Sequence, residues 1–522
     1  MPGVAVAAIA LALALGAGIG GSPSTTAPTR AASDEVRILA GAPATIDPAA
    51  QGDIGSAAVS AQLFESLTAI DSQLTVRPAL AATWDVLDAG RRVVFHLRPG
   101  LTFSDGSSLG PNDVVRSWLR IIDPARPSPL ASLMLDVQGA REYLAGSTAA
   151  SSVGLHANGN DVEVDLARPA SDFPTIVAGP TFAIVPASIE DATTLSANGF
   201  VGSGAYLISA VSDQELTLTA SDRYWAGRPS IRTVHLVGDI AGRSPVVAFE
   251  SGDLDYAPIA DSDASWIRYD RTLGPQLRQV PSLSLEYFGF DTARPPFDDV
   301  RVRQAFAKAV DWRRIVQLAT PGSSTPATSM VPPGIPGRSD EDFLPVRDPE
   351  AARKLLADAG FPGGRGFPDV TLVDPGSTYA RAVVADLKRE LGIDVAIETM
   401  EFDEYFARLA ADPPRMWALD WVADYPGQND FLGVLLGTGQ SNNYGRWSSA
   451  EFDAAITDAG QTLDPAAASA AFDHALALVQ RDAPAIPVAY STGWALSRDG
   501  LLGAGQNGLG ILRVAGIAWG SK

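Results

Sequence analysis

Side chains able to carry chemistry are sparse and scattered in this chain. The four histidines, His96, His156, His235 and His474, show no H-x-x-x-H spacing, so neither a paired metal ligand nor a base beside a nucleophile is indicated. Cysteine is absent, which excludes thiolate nucleophiles, zinc–thiolate sites, iron–sulfur clusters and disulfides. The close carboxylates Asp298-Asp299 and Asp253/Asp255 read as helix caps and solvated turns rather than a glycosidase pair. Two stretches match G-x-G-x-x-G, at Gly16–Gly21 and Gly503–Gly508. The first lies inside an apolar leader. The second does not open a helix, because LGILRVAGIAW after it reads as a strand. The P-loop pattern does not occur, and the one G-x-S-x-G match, Gly106–Gly110, lies in the turn-rich stretch FSDGSSLGPND and is no nucleophile elbow. No residue set argues for an enzyme, and no cofactor or metal is implied.

The chain has 522 residues, 46% of them apolar, enough for several packed lobes. Lys+Arg total 39 against 60 Asp+Glu, a net charge of −21, which argues against nucleic acid as a partner. Val4–Gly21 is a continuous small and apolar run followed by SPSTTAPTRAAS, the pattern of a secretory leader and tether, although no cation precedes it. Beyond residue 34, strand-like runs alternate with helical stretches. DVEVDL (Asp161–Leu166), LTLTA and TVHLV alternate as half-buried strands. Asn112 is placed as the cap of DVVRSWLRII, and Asp298 or Asp299 as the cap of one long helix, VRVRQAFAKAVDWRRIVQL. Asp348-Pro349 and Asp464-Pro465 pair a capping Asp with Pro at the first helical position. A further helix is expected from Ser377, read as a plain cap, to Leu391, closed by Gly392. The alternation makes the chain α/β or mixed α+β.

At this point a resemblance appears. ALAATWDVLDAGRRVVFHLRPGLTFSDGSSLGPNDVVRSWLRIIDP (Ala79–Pro124) resembles the signature region of family 5 extracytoplasmic solute-binding proteins, the peptide-, oligopeptide- and nickel-binding subunits of ABC importers. LFESL precedes it. GSGAYLI, RYWAGRPSI, PPFDDVRVRQAFAKAVDW, DPEAARKLLADAGF, WVADYP, NNYGRWSSAEFDAAI and APAIPVAYS follow in order. SPLAS after IIDP is most similar to the oligopeptide-binding branch. The resemblance implies a two-lobed α/β fold of the periplasmic-binding-protein type, with a hinge and an extra subdomain inserted in lobe I. Expected boundaries are 1–34 for the leader and tether, 35–66, 186–284 and 490–522 for lobe I, 67–185 for the insertion, and 285–489 for lobe II. It further implies a monomeric, exported receptor, periplasmic or attached to the cell envelope, that captures peptides and hands them to a membrane permease and its ATPase. The same fold binding an oligosaccharide or a nickel–metallophore is the alternative.

The resemblance also implies a site. Asp424, in Trp421-Val422-Ala423-Asp424-Tyr425-Pro426, stands where the family's ammonium-binding Asp stands. A charge-assisted bond to an α-ammonium reads the one cation that every unblocked peptide has. The preceding backbone, Asp420 to Val422, falls where peptide-binding members pair β-fashion with ligand, which reads main chain and ignores sequence. Trp421 and Phe402 fall at pocket-lining aromatic positions, and Asn442, Asn443 and Tyr490 are further cleft candidates. Departures from the family pattern are equally concrete. Val373-Asp374-Pro375-Gly376 lacks the Arg that clamps a dipeptide carboxylate, and Leu130 replaces a ligand-contacting Tyr. Ser56 replaces an acid, and no lipidated cysteine follows the apolar run, where Ile19 stands. A carboxylate clamp is left between Arg415 and Arg446.

Overall fold

The computed structural model describes residues 34–189, 197, 199–320 and 322–520; the leader and tether expectation lies outside them. A mixed sheet of twelve strands runs through the molecule. At one end Val395–Thr399, Val370–Asp374, Met416–Val422 and Ser284–Phe290 lie side by side. At the other end are Tyr256–Ile259, Glu35–Leu39, Thr233–Val237, Glu215–Ala220 and Tyr206–Val211. The thirteen-residue strand Ala485–Ser497 joins the two halves. Its first residues pair with Ser284–Phe290 and Ser324–Pro326, and its last with Leu277–Pro281 and Tyr256–Ile259. The chain thus crosses between the halves twice, once near Ser282–Leu283 and once along Ala489–Gly493. Two α/β lobes joined by neighbouring strands follow from this topology, a layout suited to hinge closure.

A separate antiparallel sheet, Ala81–Leu87, Arg92–Leu97, Asp161–Asp165 and Leu155–Asn158, forms the core of the insertion. Its apolar positions alternate as read from sequence: Val93, Phe95, Val162 and Val164 are fully buried against Trp118 and Phe173. Trp118 meets Phe95, Phe173 and Phe182 edge-on at centroid distances of 6.1, 6.1 and 5.7 Å, and its Nε1 donates to Phe182 O.

Several local expectations shift. The first helix of the insertion starts at Pro111, not after Asn112; Gly110 is the cap, and its N–H donates to Asp113 Oδ2 at 3.0 Å. The long helix expected after Asp299 is two, Val300–Ala309 and Trp312–Ala319, because Asp311 accepts from the Arg314 N–H and starts a new one. LGILRVAGIAW forms only the two-residue strand Ala518–Trp519; the rest is turn and loop packed through Ile511, Leu512, Val514 and Ile517. Ser377 does not cap the helix Ala380–Leu391. Its oxygen accepts from the Tyr379 N–H at 3.2 Å, ahead of the helix, and its proton goes to the Glu286 carboxylate.

Candidate functional site

The site is built on the strand Met416–Val422. One edge is fully paired with Ser284–Phe290, from Met416↔Phe290 to Val422↔Ser284. The other edge is covered by Val370–Asp374 only at Met416 and Trp417. Among the described residues no strand pairs with that edge from Ala418 to Val422, although the Ala418 carbonyl accepts from the Tyr405 hydroxyl at 2.5 Å. Strand alternation sorts the side chains. Leu419 and Trp421 turn to the core, while Asp420 and Val422 are exposed on the opposite face, beside their cross-strand partners Glu286 and Ser284.

Asp424 follows two residues beyond the strand. Among the described residues no donor and no cation meets its carboxylate, which is partly buried. Loss of hydration pushes it up to about 7. Asp430, fully buried, stands next to it. Asp430 Oδ2 accepts from Trp421 Nε1 at 3.0 Å and from the Asp424 N–H at 3.2 Å, while Oδ1 has no partner. Burial first, then the Asp424 charge, drives Asp430 well above the usual carboxylate range. Two desolvated carboxyls without a counter-ion must share protons or wait for a cation. Asp430 also fixes the Trp421 indole and the backbone at Asp424, so it positions both.

A second acidic pair spans this strand and its neighbour Ser284–Phe290. Glu286 and Asp420 are directly opposite in the ladder. Burial pushes Glu286 up to about 7, against the pull of the Ser377 hydroxyl and helped by Asp420 and Asp374. Asp420 is open to water yet lies deep among protein atoms, and desolvation raises it as well. Asp374 is a structural acid: its Oδ1 accepts from the Gly376 and Ser377 N–H groups at 2.6 and 3.2 Å. Glu286 and Asp430 were not singled out from sequence. Glu286 reads as one polar position of an alternating strand, and Asp430 as one acid in a Gln-Asn-Asp turn.

The other candidates separate. Phe402 begins the helix Phe402–Ala411, is 65% exposed, and its ring meets Phe406 at 4.7 Å; nothing brings it to Asp424. Asn442 is partly exposed and makes no hydrogen bond among the described residues. Asn443 is a loop staple rather than a cleft group. Its Nδ2 donates to Leu436 O, Gly437 O and Trp447 O, and its Oδ1 accepts from the Trp447 N–H. Tyr490 is likewise spent internally. Its hydroxyl accepts from the Thr328 and Ser329 N–H groups at 3.1 and 2.9 Å and donates to the Ser329 carbonyl at 2.7 Å. Tyr490→Phe therefore strands two buried N–H groups. We expect it to cost about 1–3 kcal/mol in denaturant melts and to leave ligand affinity unchanged; lost affinity at full stability would put Tyr490 back in the site. Arg446 is occupied by the buried Asp291, at 3.0 Å from Nε to Oδ1, and Arg415 reaches the Asp369 carbonyl at 3.3 Å. Neither is a free carboxylate clamp.

Comparison with known proteins agrees with this architecture. The probable deoxycholate-binding periplasmic protein YgiS of Escherichia coli is 30% identical over 468 residues, 86% of each chain. The periplasmic oligopeptide-binding protein OppA of Salmonella typhimurium is 27% identical over 463 residues, 85% of each. Among solved structures, the unliganded open form of the murein tripeptide binding protein MppA superposes with a TM-score of 0.79 at 23% identity, over 94% of this chain and 98% of that one, which supports the two-lobed fold. The model of the bacterial extracellular solute-binding proteins, family 5, matches residues 75–443. The chain therefore belongs to the family 5 extracellular solute-binding proteins, receptors that bind solutes rather than enzymes that transform them.

Proposed function

We propose that this receptor captures peptides between its lobes, outside the cytoplasmic membrane, and presents them to an ABC permease and its ATPase. The observation that carries the reading is the bare carboxylate of Asp424 beside the strand edge from Leu419 to Val422, which no other strand covers among the described residues. A peptide ammonium supplies the missing cation, and the peptide main chain supplies the missing strand. Both contacts are common to all unblocked peptides, so the site selects for a class of ligand and not for one sequence. Lobe I comprises 35–66, 186–284 and 490–522 with the insertion 67–185, and lobe II comprises 285–489; closure about the two crossings buries the ligand. Trp421, with its indole held by Asp430, forms a fixed wall under the first residue.

This cluster of acids disfavours an anionic solute, since a carboxylate ligand would find no cation paired with Asp424, Asp430, Asp420 or Glu286 among the described residues and would repel whichever of them is ionised. Calorimetric titration separates the two ligand types. Trialanine is expected to bind one to one, and deoxycholate to give no heat. Binding of deoxycholate without binding of any tri- to pentapeptide would overturn the reading.

A further inference from the structure

A second cavity lies away from the proposed peptide cleft. It has a volume of about 560 Å³ and sits where the insertion meets lobe II. Leu74, Val76 and Asp172 line it from the insertion; Ile456, Leu463 and Phe472 line it from the helices Ala450–Gln461 and Pro465–Asp482 and their connection. Asp424, Asp420 and Trp421 are not on its wall. The side chain of Tyr425, the residue after Asp424, is buried in the insertion's own core. Contacts across the junction hold the cavity closed at one side: the Ser171 N–H donates to Gly460 O at 3.1 Å, and the Tyr425 hydroxyl donates to Asp172 Oδ2 at 3.1 Å.

The chemistry of the wall is one-sided. Four aspartates line it, Asp136, Asp172, Asp453 and Asp464, against one cation, Arg168, whose Nε is already paired with Asp136 Oδ1 at 2.5 Å. Two wall oxygens, Gln428 Oε1 and Asn429 Oδ1, are buried and accept no hydrogen bond. The Asn429 amide is oriented by its own network. Its Nδ2 donates at 3.1 Å to the Tyr425 hydroxyl, whose proton goes to Asp172, so the oxygen is the unused end. Burial raises the Asp172 carboxyl above its ordinary range, with Asp136 adding to the effect. Unsatisfied buried acceptors and an uncompensated acid beside an apolar wall ask for a donor-bearing cation on an apolar body. The volume falls inside the roughly 300–1,000 Å³ span of small-molecule sites.

We infer that this cavity is a second ligand site, for a small amphipathic amine whose ammonium faces Asp172 and the Gln428–Asn429 acceptors while its apolar body packs on Ile456, Leu463 and Phe472. Because the wall comes from both the insertion and lobe II, an occupant holds the two together. Asp424 is not on its wall, and the site goes beyond peptide capture.

The test uses 2-phenylethylammonium as probe, with 3-phenylpropionate and 2-phenylethanol as controls of matched shape, titrated into the full chain and followed by ligand-observed NMR. The amine is expected to bind about tenfold more tightly than either control, the scale of one charge-assisted bond. Ile456→Trp and, separately, Ala468→Trp fill the cavity and are expected to abolish amine binding while trialanine still binds. Asp172→Asn keeps an acceptor for Tyr425 and is expected to weaken the amine about tenfold. Asp424→Asn should leave it unchanged. Equal binding of the three probes, or amine binding that survives both cavity-filling variants, overturns the second site. Amine binding lost in Asp424→Asn but retained in the filled variants also overturns it, by placing the amine in the peptide cleft, and leaves the peptide reading standing.

Discussion

Replacing Asp424 with Asn is expected to stabilise the ligand-free protein above pH 7 and at the same time to remove most of its affinity for peptides. The two effects have one cause. In the folded chain burial lifts the Asp424 carboxyl from an ordinary 3.8 to about 7. A carboxyl raised on folding contributes fully below its unfolded value, near pH 4, and that contribution is lost as pH climbs through about 7. At pH 8 the folded state therefore carries an ionised, desolvated Asp424 beside a buried Asp430. The shift from 3.8 to about 7 caps the penalty near about 4 kcal/mol. Water reaching the cleft and proton sharing with Asp430 bring the expected gain for Asn to ~1–3 kcal/mol. Binding moves the other way. Asn offers the ligand ammonium a neutral acceptor in place of a charge, and removing one member of a buried charge pair costs about 2–5 kcal/mol. Chemical denaturation at pH 5 and pH 8, with calorimetry on the same samples, measures both. An Asp424→Asn protein that is less stable at pH 8 and still binds peptide would show that the carboxylate is a structural cap.

Peptide affinity is expected to peak between pH 7 and 8, roughly where Asp424 is ionised and the peptide amine, with its ordinary value near 7.7–8.0, is still protonated. Below pH 7, binding must displace a proton from the Asp424–Asp430 pair, so affinity falls by up to about tenfold per pH unit for each proton released. The groups that face this pair pull both ways: burial and the neighbouring acids raise Asp430, the donors from Trp421 and the Asp424 backbone lower it, and burial is the largest influence. Trp421 Nε1 and the Asp424 N–H donate to Asp430, and Asp172 lies near enough to raise it further. Arg168, which acts on Asp172, is itself paired with Asp136. Calorimetry at pH 6 in buffers of different ionisation enthalpy is expected to show release of about one proton per peptide bound. Affinity that is flat from pH 5 to 8, with no proton release, would mean that no titrating carboxyl meets the ligand.

The sequence disclosed the framework well. Apolar alternation in DVEVDL and the Asp-Pro helix starts were readable because period and capping are local properties, set within a few residues. The break at Val310-Asp311 was not, since Asp311 can be a surface residue of one helix or the cap of a second, and only packing chooses. Within the site, Asp424 stood out through its motif. Asp430 and Glu286 did not. One acquires its role by folding back onto Trp421 and Asp424, the other by cross-strand register with Asp420, and neither relation is visible along the chain. Tyr490 and Asn443 misled for the converse reason. Polar groups near the cleft are equally able to hold loops, and these two are consumed by backbone donors and acceptors. Ser377 was read as a cap because Ser before a helix commonly is one; its oxygen accepts only the Tyr379 N–H, ahead of the helix, and its proton goes to Glu286, a partner that only folding brings near.

The central claim is that the Asp424 carboxylate holds the ligand ammonium, and a double-mutant cycle tests it most directly. Trialanine and N-acetyl-trialanine are titrated at pH 7.5 into the unaltered protein and into Asp424→Asn. Acetylation alone and the substitution alone should each weaken binding by about 2–5 kcal/mol, while both together should cost little more than either, because the same contact is removed twice. If acetylation instead costs as much in Asp424→Asn as in the unaltered chain, the two groups do not meet and the account fails.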